Sequence, residues 1–550
     1  MAGAAGDMPL RDDEVEAYDK KDPRQAVKLV RSAHLLFQTF KLLFADGIFS
    51  FKDRRDSRAE FSRKGKDWAF KVVEIELSFV YDQLYTKASL SRTKLGLGRV
   101  ASLLLTLAGS IWTLFVTLHA SQYQPRHRCV TFTLLAGAVF TDVVILAYHS
   151  LSIWTLVHID WLPCGSCAFV NYRRWSGRMA QSNLIAFCLK KVPSDSELDA
   201  FIRKKLARLH RNLGAPHDLP VFVGVPGMAG MMLGPKLLAS AGNLLYPKRT
   251  LFEKLQAGSF WRKYEQIDHV LVRQELKKFI FCEIRKKEKD LYAWERQKKA
   301  AGETLGNHNP STAYRGDQVM RCEKITGLEW SLQEKEFDES LLIWHIATDL
   351  CFRQEYKHGN TFPEPMKIAR ELSNYLFYIM VVHPLMLSPS TTMVIKRCRD
   401  TCAEARRHFL KEHLQHMQRL TREARSEIAM GEDNAHKLLL KVKTPLPASV
   451  MKGDKSKSVL WDGCFLAKEL TRIMGDPETK WQVVSKVWVE MLCYAAIHCG
   501  GYQHAERLKE GGELITFVCL LMNPDVWAST TEPRSGTRTL TSRHTPPHRY

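Results

Sequence analysis

The sequence lacks the motifs that are typical of nucleic-acid binding and of several enzyme classes. It has no zinc-finger spacing, no aromatic RNA-binding motif, no helix-turn-helix signature and no glycine-rich phosphate loop. Acidic residues are also few, since 59 Asp and Glu stand against 80 Lys and Arg and give a formal net charge of +21. Such a surplus favours either nucleic acid or anionic lipid as a partner. Without a nucleic-acid motif, we predict anionic lipid headgroups and no nucleic acid.

Two further absences concern the compartment and the metal content. The amino terminus has no basic region followed by an apolar core, so it does not resemble a signal peptide. The 13 cysteines are odd in number and scattered, which is typical of reduced thiols rather than of a disulfide framework. Cys164 and Cys167 form a CxxC that no second CxxC accompanies, so we predict no metal centre and no cofactor.

Formal charge is absent from Val100–Ala120, and Cys129–Val157 is apolar apart from Asp142 and His149. As a helix, each run is long enough to cross a hydrocarbon core of roughly 30 Å at ~1.5 Å per residue. Backbone polar groups inside lipid need partners within their own segment, which favours helices. We therefore predict a transmembrane helical hairpin over residues 100–157.

Basic residues flank the predicted hairpin on both sides. Before and after it lie Lys87, Arg92, Lys94, Arg99, Arg173, Arg174 and Arg178, while the connecting loop has only Arg126 and Arg128. The positive-inside rule then places both long flanks in the cytosol. We predict a multi-pass integral membrane protein with most of its chain cytosolic. Its partners would be the lipid bilayer and, through the basic juxtamembrane segments, anionic headgroups.

The hairpin contains polar residues that need an explanation. Asp142 and His149 share one face of the second span, and Thr106 and Ser110 belong to a stripe of small polar residues on the first. A carboxylate at mid-depth costs roughly 2.5–3.5 kcal/mol on insertion scales, so Asp142 should face protein or water. It could serve a proton or ion relay in a transporter or channel. It could also make a structural hydrogen bond to Thr106 or Ser110, which we favour because two spans alone form no conduit.

Helical periodicity runs through the rest of the chain, so the predicted fold class is mainly α, with a transmembrane helical hairpin and α-helical cytosolic domains. The predicted segments are N-terminal amphipathic helices (1–99), the hairpin (100–157), a basic juxtamembrane and irregular segment (158–250), a helical cytosolic region (251–442), a linker (443–457), a C-terminal helical domain (458–522) and a disordered tail (523–550).

Three carboxylates, Glu74, Glu76 and Asp82, lie in an apolar helix. Paired carboxylates can perform acid–base chemistry. Capping and ion pairing with nearby lysines such as Lys71 and Lys87 is the favoured alternative.

His345 and Asp349 lie four residues apart on one face of an apolar helix. A carboxylate so placed can orient a histidine base, and this pair is the candidate for a membrane-bound enzyme. No serine or cysteine elbow accompanies it, so we favour a core histidine with satisfied hydrogen bonds. We do not predict an enzyme.

Two segments suggest contact surfaces. Asn171–Leu213 is basic and predicted to be helical, which suits a lipid surface. Trp481–His498 is amphipathic, with one stripe formed by Trp481, Val484, Trp488, Met491 and Ala495. We predict that this stripe contacts protein partners. The predicted function is a membrane-anchored scaffold or adaptor.

Several long blocks resemble a known plant family. Ala69–Ala88 and Phe337–Phe352 are similar to the domain of unknown function 4220. Lys457–Leu470, Lys480–Ala496 and Gly501–Thr516 are similar to its usual C-terminal companion, the domain of unknown function 594. The resemblance implies a multi-pass plant membrane protein without an assigned activity or defined catalytic residues. Family members usually begin with further membrane helices, so it also implies that the hairpin is the last pair of a larger bundle.

Overall fold

A computed structural model describes the fold of residues 22–45, 61, 64–86, 104–113, 115–116, 130, 132–141, 153–158, 170, 174–189, 267–301, 314–355, 362–388, 390–419, 432–442 and 459–522. The described residues are mainly helical, which confirms the predicted mainly α class.

The described helices are α1 (Pro23–Phe40), α2 (Lys66–Tyr85), α3 (Leu104–Thr113), α4 (Phe132–Thr141), α5 (Ile153–His158), α6 (Leu184–Leu189), α7 (Gln274–Ala300), α8 (Asp317–Cys322), α9 (Phe337–Glu355), α10 (Glu364–Val382), α11 (Thr391–Arg419), α12 (Glu432–Lys441), α13 (Val459–Met474), α14 (Pro477–His498), α15 (Gly501–Leu508) and α16 (Leu514–Leu521). Short 3-10 turns lie at Leu43–Ala45, Glu329–Ser331 and Pro384–Met386.

A two-stranded sheet joins β1 (Arg178–Gln181) to β2 (Asp268–Leu271). The first strand falls within Asn171–Leu213, so the prediction of a helix is wrong at this point. Strand pairing satisfies the backbone of β1 while Met179 and Ala180 become buried. Beyond α6, residues 190–213 of that basic segment lie outside the described part of the chain.

The chain forms two compact units, and each draws on segments that are far apart in sequence. The first comprises Met1–Met179, Leu271–Arg315 and Val489–Tyr550, and the second comprises Ala180–Val270 and Gly316–Trp488. Helix α14 thus begins in the second unit and ends in the first. The predicted domain boundaries follow the order of the chain and remain sequence predictions.

The first unit has an aromatic core around α1 and α2. Asp22 caps α1 by accepting a hydrogen bond from the Arg24 amide at 2.9 Å. Phe37 of α1 then packs against Phe79 of α2 and Trp154 of α5, with ring centroids 5.7 and 5.6 Å away. Apolar residues cover most of the circumference of α2, which explains why this helix is buried among several others.

The second unit is built around α9. Every residue from Phe337 to Phe352 is buried, and α9 packs most extensively against α13 and α10. A Cβ at Gly463 of α13 would lie only 2.7 Å from the side chain of Ile346. Glycine at this position therefore allows α13 to approach α9 closely.

The stripe on α14 that was predicted to contact partners lies in the core instead. Trp481 and Trp488 are 1% and 0% exposed. Their indole N–H groups donate to Glu355 at 2.6 Å and to Thr348 at 3.0 Å, both on α9. The residues between them are largely buried too, including Ser485, so α14 is a core helix. The predicted contact surface is wrong because all five of its residues are buried, and α9 covers Trp481 and Trp488.

No single helix in the described ranges is both long and apolar enough to cross a membrane. The consecutive helices α14 and α15, bent by 101°, meet the length and composition required only when they are taken together. Helices α3 and α4 are apolar but short. They are the described portions of the two runs that form the predicted hairpin.

Candidate functional site

The exposed large apolar side chains of the described residues concentrate on and beside α3 and α4. Leu105 is 73% exposed, Trp112 is 69% exposed, and Leu134 and Phe140 are each 70% exposed. The same set includes Leu104, Ile111, Phe115, Val116 and Val130. Apolar clusters of this kind mark contacts with a membrane or with another protein. We call this set the apolar surface.

Part of the polar stripe on α3 is covered. Thr106 is half-buried and Ser110 is 7% exposed, whereas Thr113 and most of the large apolar side chains of the helix are exposed. A covered serine among exposed apolar residues is the reverse of the pattern of a surface helix in water. The Thr113 hydroxyl donates to the Gly109 carbonyl at 2.7 Å, within its own helix. The bond satisfies this exposed hydroxyl within its own helix, which a position in contact with lipid would require. Asp142 and His149, which were singled out with this stripe, lie outside the described residues.

His345 is fully occupied by hydrogen bonds in the core of the second unit. It is 1% exposed, and its Nε2 accepts from the Leu184 amide at 3.1 Å. In the neutral ring, Nδ1–H then donates to Ser373 Oγ at 2.8 Å. Leu184 is the first residue of α6, where backbone N–H groups have no partner within the helix. His345 thus supplies the acceptor that the start of α6 needs.

Asp349, the other member of the predicted dyad, binds a different histidine. Its Oδ2 accepts from Nε2–H of His436 on α12 at 2.6 Å, and both side chains are buried. Burial alone raises the pKa of Asp349. The hydrogen bond from His436 and the neighbouring positive groups outweigh that effect and lower the pKa to about 2. The structure therefore separates the dyad into two pairs, His345–Ser373 and Asp349–His436.

A buried ionic cluster lies beside these pairs. Lys335 Nζ is 3.0 Å from Glu339 and 3.1 Å from Asp462 of α13. Arg397 of α11 pairs with Asp338, and its guanidinium is 3.7 Å from Glu339. The cluster ties α9 to α11 and α13, so its most direct role is to fix the packing of these helices.

Sequence reasoning missed His436, Ser373 and the ionic cluster. The partners lie 87 residues apart for Asp349 and His436, and 127 residues apart for Lys335 and Asp462. No helical spacing connects such distant positions. A buried charge within an apolar helix, such as Asp349, is the only local sign that a distant partner is required. Among the described residues, no group of three or more His, Cys, Asp or Glu side chains could hold a metal ion.

Together, these features define a mainly helical protein with an exposed apolar surface and a second unit held together by buried polar pairs. Residues 6–188 match a family described as Domain of unknown function (DUF4220), and residues 474–523 match Protein of unknown function, DUF594. The chain therefore has a DUF4220 region followed by a DUF594 region, which confirms the predicted order. No curated protein and no solved structure is significantly similar to it.

The two matches locate the features described above. The DUF4220 match contains the apolar surface, and the DUF594 match contains α14 to α16. His345, Asp349 and His436 lie between the matched regions. The extension of the 4220-type region over residues 251–442 stays a prediction, as does the plant origin.

We expect the pKa of His345 to produce a measurable pH dependence. Burial lowers the pKa of its imidazole from 6.5 to about 4. Because an unfolded histidine takes up a proton below pH 6.5, the free energy of unfolding of the second unit should fall by about 3 kcal/mol as the pH drops from 6.5 to 4. Denaturant unfolding of wild type and His345→Gln at several pH values measures the difference. Protonation of His345 near pH 6.5 by NMR would contradict the assignment and favour an accessible base.

Proposed function

We propose that the protein is an integral membrane protein, anchored by the hairpin over residues 100–157, and that its helical units form a scaffold in the cytosol. The reversed pattern of exposure on α3 carries the proposal. In water, exposed side chains such as Leu105 and Trp112 would forgo roughly 1.5–3 kcal/mol each relative to burial. In contact with apolar lipid tails, the same side chains do not incur this loss of free energy.

The lengths of the apolar runs support this proposal. Helices α3 and α4 have 10 residues each, so each covers about 15 Å, half of a hydrocarbon core. The sequence runs that contain them extend to Val100–Ala120 and Cys129–Val157. The proposal therefore requires the helices to continue into these flanking apolar residues. Basic residues on both outer flanks favour a cytosolic position for the rest of the chain.

The scaffold role is supported by how the second unit uses its polar groups. His345, Asp349 and the ionic cluster bind one another or the backbone, and so they join α6, α9, α11, α12 and α13. Groups engaged in this way stabilise a particular helix arrangement. A rigid helical unit held at a membrane is a suitable platform for partner proteins. Proximity labelling from the full-length chain, compared with the detached variant described next, would test whether anchoring determines its neighbours.

Charged substitutions on the apolar surface should release the protein from membranes. Leu105→Lys, Ile111→Lys and Leu134→Lys change side chains that are 73%, 66% and 70% exposed, so they should not disturb a core. Each lysine placed in a spanning helix costs roughly 2.5–3.5 kcal/mol on insertion scales. We expect the wild type to stay in the membrane pellet after alkaline carbonate extraction, and the triple variant to move to the supernatant.

A matched triple variant adds the same charge at exposed apolar positions elsewhere. Leu35→Lys, Leu84→Lys and Met393→Lys alter side chains that are 67%, 46% and 49% exposed, and this variant should remain in the pellet. Release of the wild type by carbonate would refute the membrane anchor. Equal release of both triple variants would show that added charge, and not its position, causes the effect.

A further inference from the structure

Helix α7 of the first unit presents a basic face to solvent. One row of its exposed positions recurs at intervals of three or four residues, at Lys278, Cys282, Lys286, Lys289, Ala293 and Arg296. This spacing keeps them on one side of a helix. The opposite side buries Leu276, Ile280 and Ile284, so the core fixes which side faces outward. We call Lys278, Lys286, Lys289 and Arg296 the basic stripe.

The basic stripe has no counter-charge from the rest of the described chain. None of its four side chains makes an ion pair or hydrogen bond with another described residue. On the inner side of α7, by contrast, Lys287 lies 3.6 Å from Glu490. Two exposed acids lie on or beside the outer face: Glu275, a turn before Lys278, and Asp290, which follows Lys289. Four cations against these two acids leave the face with a net positive charge.

We propose that the basic stripe binds the anionic headgroups of a lipid bilayer. The inference rests on the proposed membrane anchor, because α7 belongs to the same compact unit as α3 and α4. The stripe extends over about 27 Å at ~1.5 Å per residue. A straight row of that length matches a planar array of phosphates and carboxylates better than it matches a compact ligand. An unpaired basic helix face in a membrane-held protein is the usual complement of an anionic leaflet.

Lysine footprinting on the full-length chain tests the proposal directly. The protein is placed in nanodiscs of phosphatidylcholine alone or of phosphatidylcholine mixed with phosphatidylserine, and acylation of each lysine is followed by mass spectrometry. Because each cation near an anionic surface adds roughly five-fold to binding, acylation of Lys278, Lys286 and Lys289 should slow by about that factor in the anionic discs. Lys324, Lys396 and Lys437, which are exposed on the second unit, serve as internal controls and should not change.

Salt separates headgroup binding from insertion. Raising the ionic strength from about 0.1 M to about 1 M shortens the Debye length from about 10 Å to about 3 Å, so protection of the stripe should disappear while the chain stays in the disc. Protection that is equal for stripe and control lysines, or absent in anionic discs, would overturn the inference. If the chain does not enter neutral discs, the proposed membrane anchor is refuted, but the proposal for the stripe is not. In that case anionic discs are added to the chain in solution, and slower acylation of the stripe lysines still tests headgroup binding.

Charge-neutral variants provide a second, independent test. The stripe variant carries Lys278→Gln, Lys286→Gln, Lys289→Gln and Arg296→Gln. The matched variant carries Lys324→Gln, Lys396→Gln, Arg407→Gln and Lys437→Gln, all at exposed positions. The stripe variant should lose roughly 600-fold in salt-sensitive affinity for anionic vesicles, at about five-fold for each of four cations, and the matched variant should lose little. Equal losses, or tighter binding of the wild type to a nucleic-acid duplex than to the vesicles, would overturn the proposal.

Discussion

Replacing Glu76 with methionine should stabilise the first unit by about 2 kcal/mol at pH 8, because it removes a buried polar group that has no hydrogen-bond partner in the described part of the chain. Glu76 is 0% exposed on α2, and neither carboxyl oxygen is hydrogen-bonded to a described residue. Burial raises the pKa of this carboxyl well above its usual value of 4.5. Methionine fills a similar volume without a polar atom.

The direction of the pH dependence follows from the raised pKa of Glu76. Below pH 4.5 the carboxyl is protonated in both the folded and the unfolded chain, so it contributes no pH dependence. Above that pH the unfolded chain releases its proton while the folded chain retains it, and stability declines until the folded pKa is reached. The difference in unfolding free energy between Glu76→Met and wild type should therefore grow from pH 4.5 towards alkaline pH.

Titratable groups on the helices packed against α2 have other partners. His34 of α1 contacts Gln38 at 3.1 Å, Lys277 of α7 lies over the Phe70 ring, and His504 of α15 bonds Thr516 at 3.0 Å. None of these three groups therefore provides a counter-charge for the Glu76 carboxyl.

A neighbouring glutamate on α2 provides the matched control for Glu76→Met. Glu74 accepts hydrogen bonds from the Arg174 and Trp175 amides and pairs with Lys71 at 3.1 Å. Glu74→Met should therefore destabilise the unit by about 1–3 kcal/mol, the opposite sign. Hydrogen exchange of α2 peptides in the full-length chain in detergent micelles reports both changes. A destabilised Glu76→Met variant, or one with the pH profile of the wild type, would show that Glu76 has a partner.

These two glutamates illustrate how far sequence reasoning reaches. Ion pairing of Glu74 with Lys71 follows from their spacing of three residues, and the structure confirms it. The same prediction is wrong for Glu76, which has neither an ion pair nor a hydrogen bond among the described residues. Pairing within a helix depends on local spacing, whereas a partner for a buried carboxylate depends on which side chains the neighbouring helices bring to it. Only the first can be predicted from a single sequence.

The apolar helices show the same limit. Apolar residues around most of the circumference of α9 predict burial, and the structure places this helix at the centre of the second unit. Trp481 and Trp488 were predicted to form an open surface, because nothing in the sequence identifies α9 as the element that covers them. The mixed polar and apolar pattern of α14 resembles that of a surface helix. The polar groups of Trp481, Ser485 and Trp488 are instead hydrogen-bonded inside the protein.

Removing His436 should strongly destabilise the second unit. His436→Leu leaves the Asp349 carboxylate buried without its hydrogen-bond donor, and breaking a buried charge pair in this way costs about 3–5 kcal/mol. The double variant His436→Leu/Asp349→Leu removes both members, and we expect it to recover at least about 2 kcal/mol relative to the single variant. Equilibrium denaturation, followed through hydrogen exchange of α9 and α12 peptides, measures both effects.

His504→Leu, followed through α15 peptides of the first unit, is the matched control, because it removes a buried histidine whose partners are a hydroxyl and a carbonyl rather than a carboxylate. It should cost about 1–3 kcal/mol. The pH dependence adds a second criterion, since a carboxyl with its pKa lowered from 3.8 to about 2 stabilises the fold above pH 3.8 and loses that contribution as the pH falls to 2. The advantage of wild type over the double variant should therefore shrink by about 2 kcal/mol between these pH values. A double variant no more stable than His436→Leu alone, with an advantage that does not vary with pH, would mean that the pair fills space without an electrostatic role.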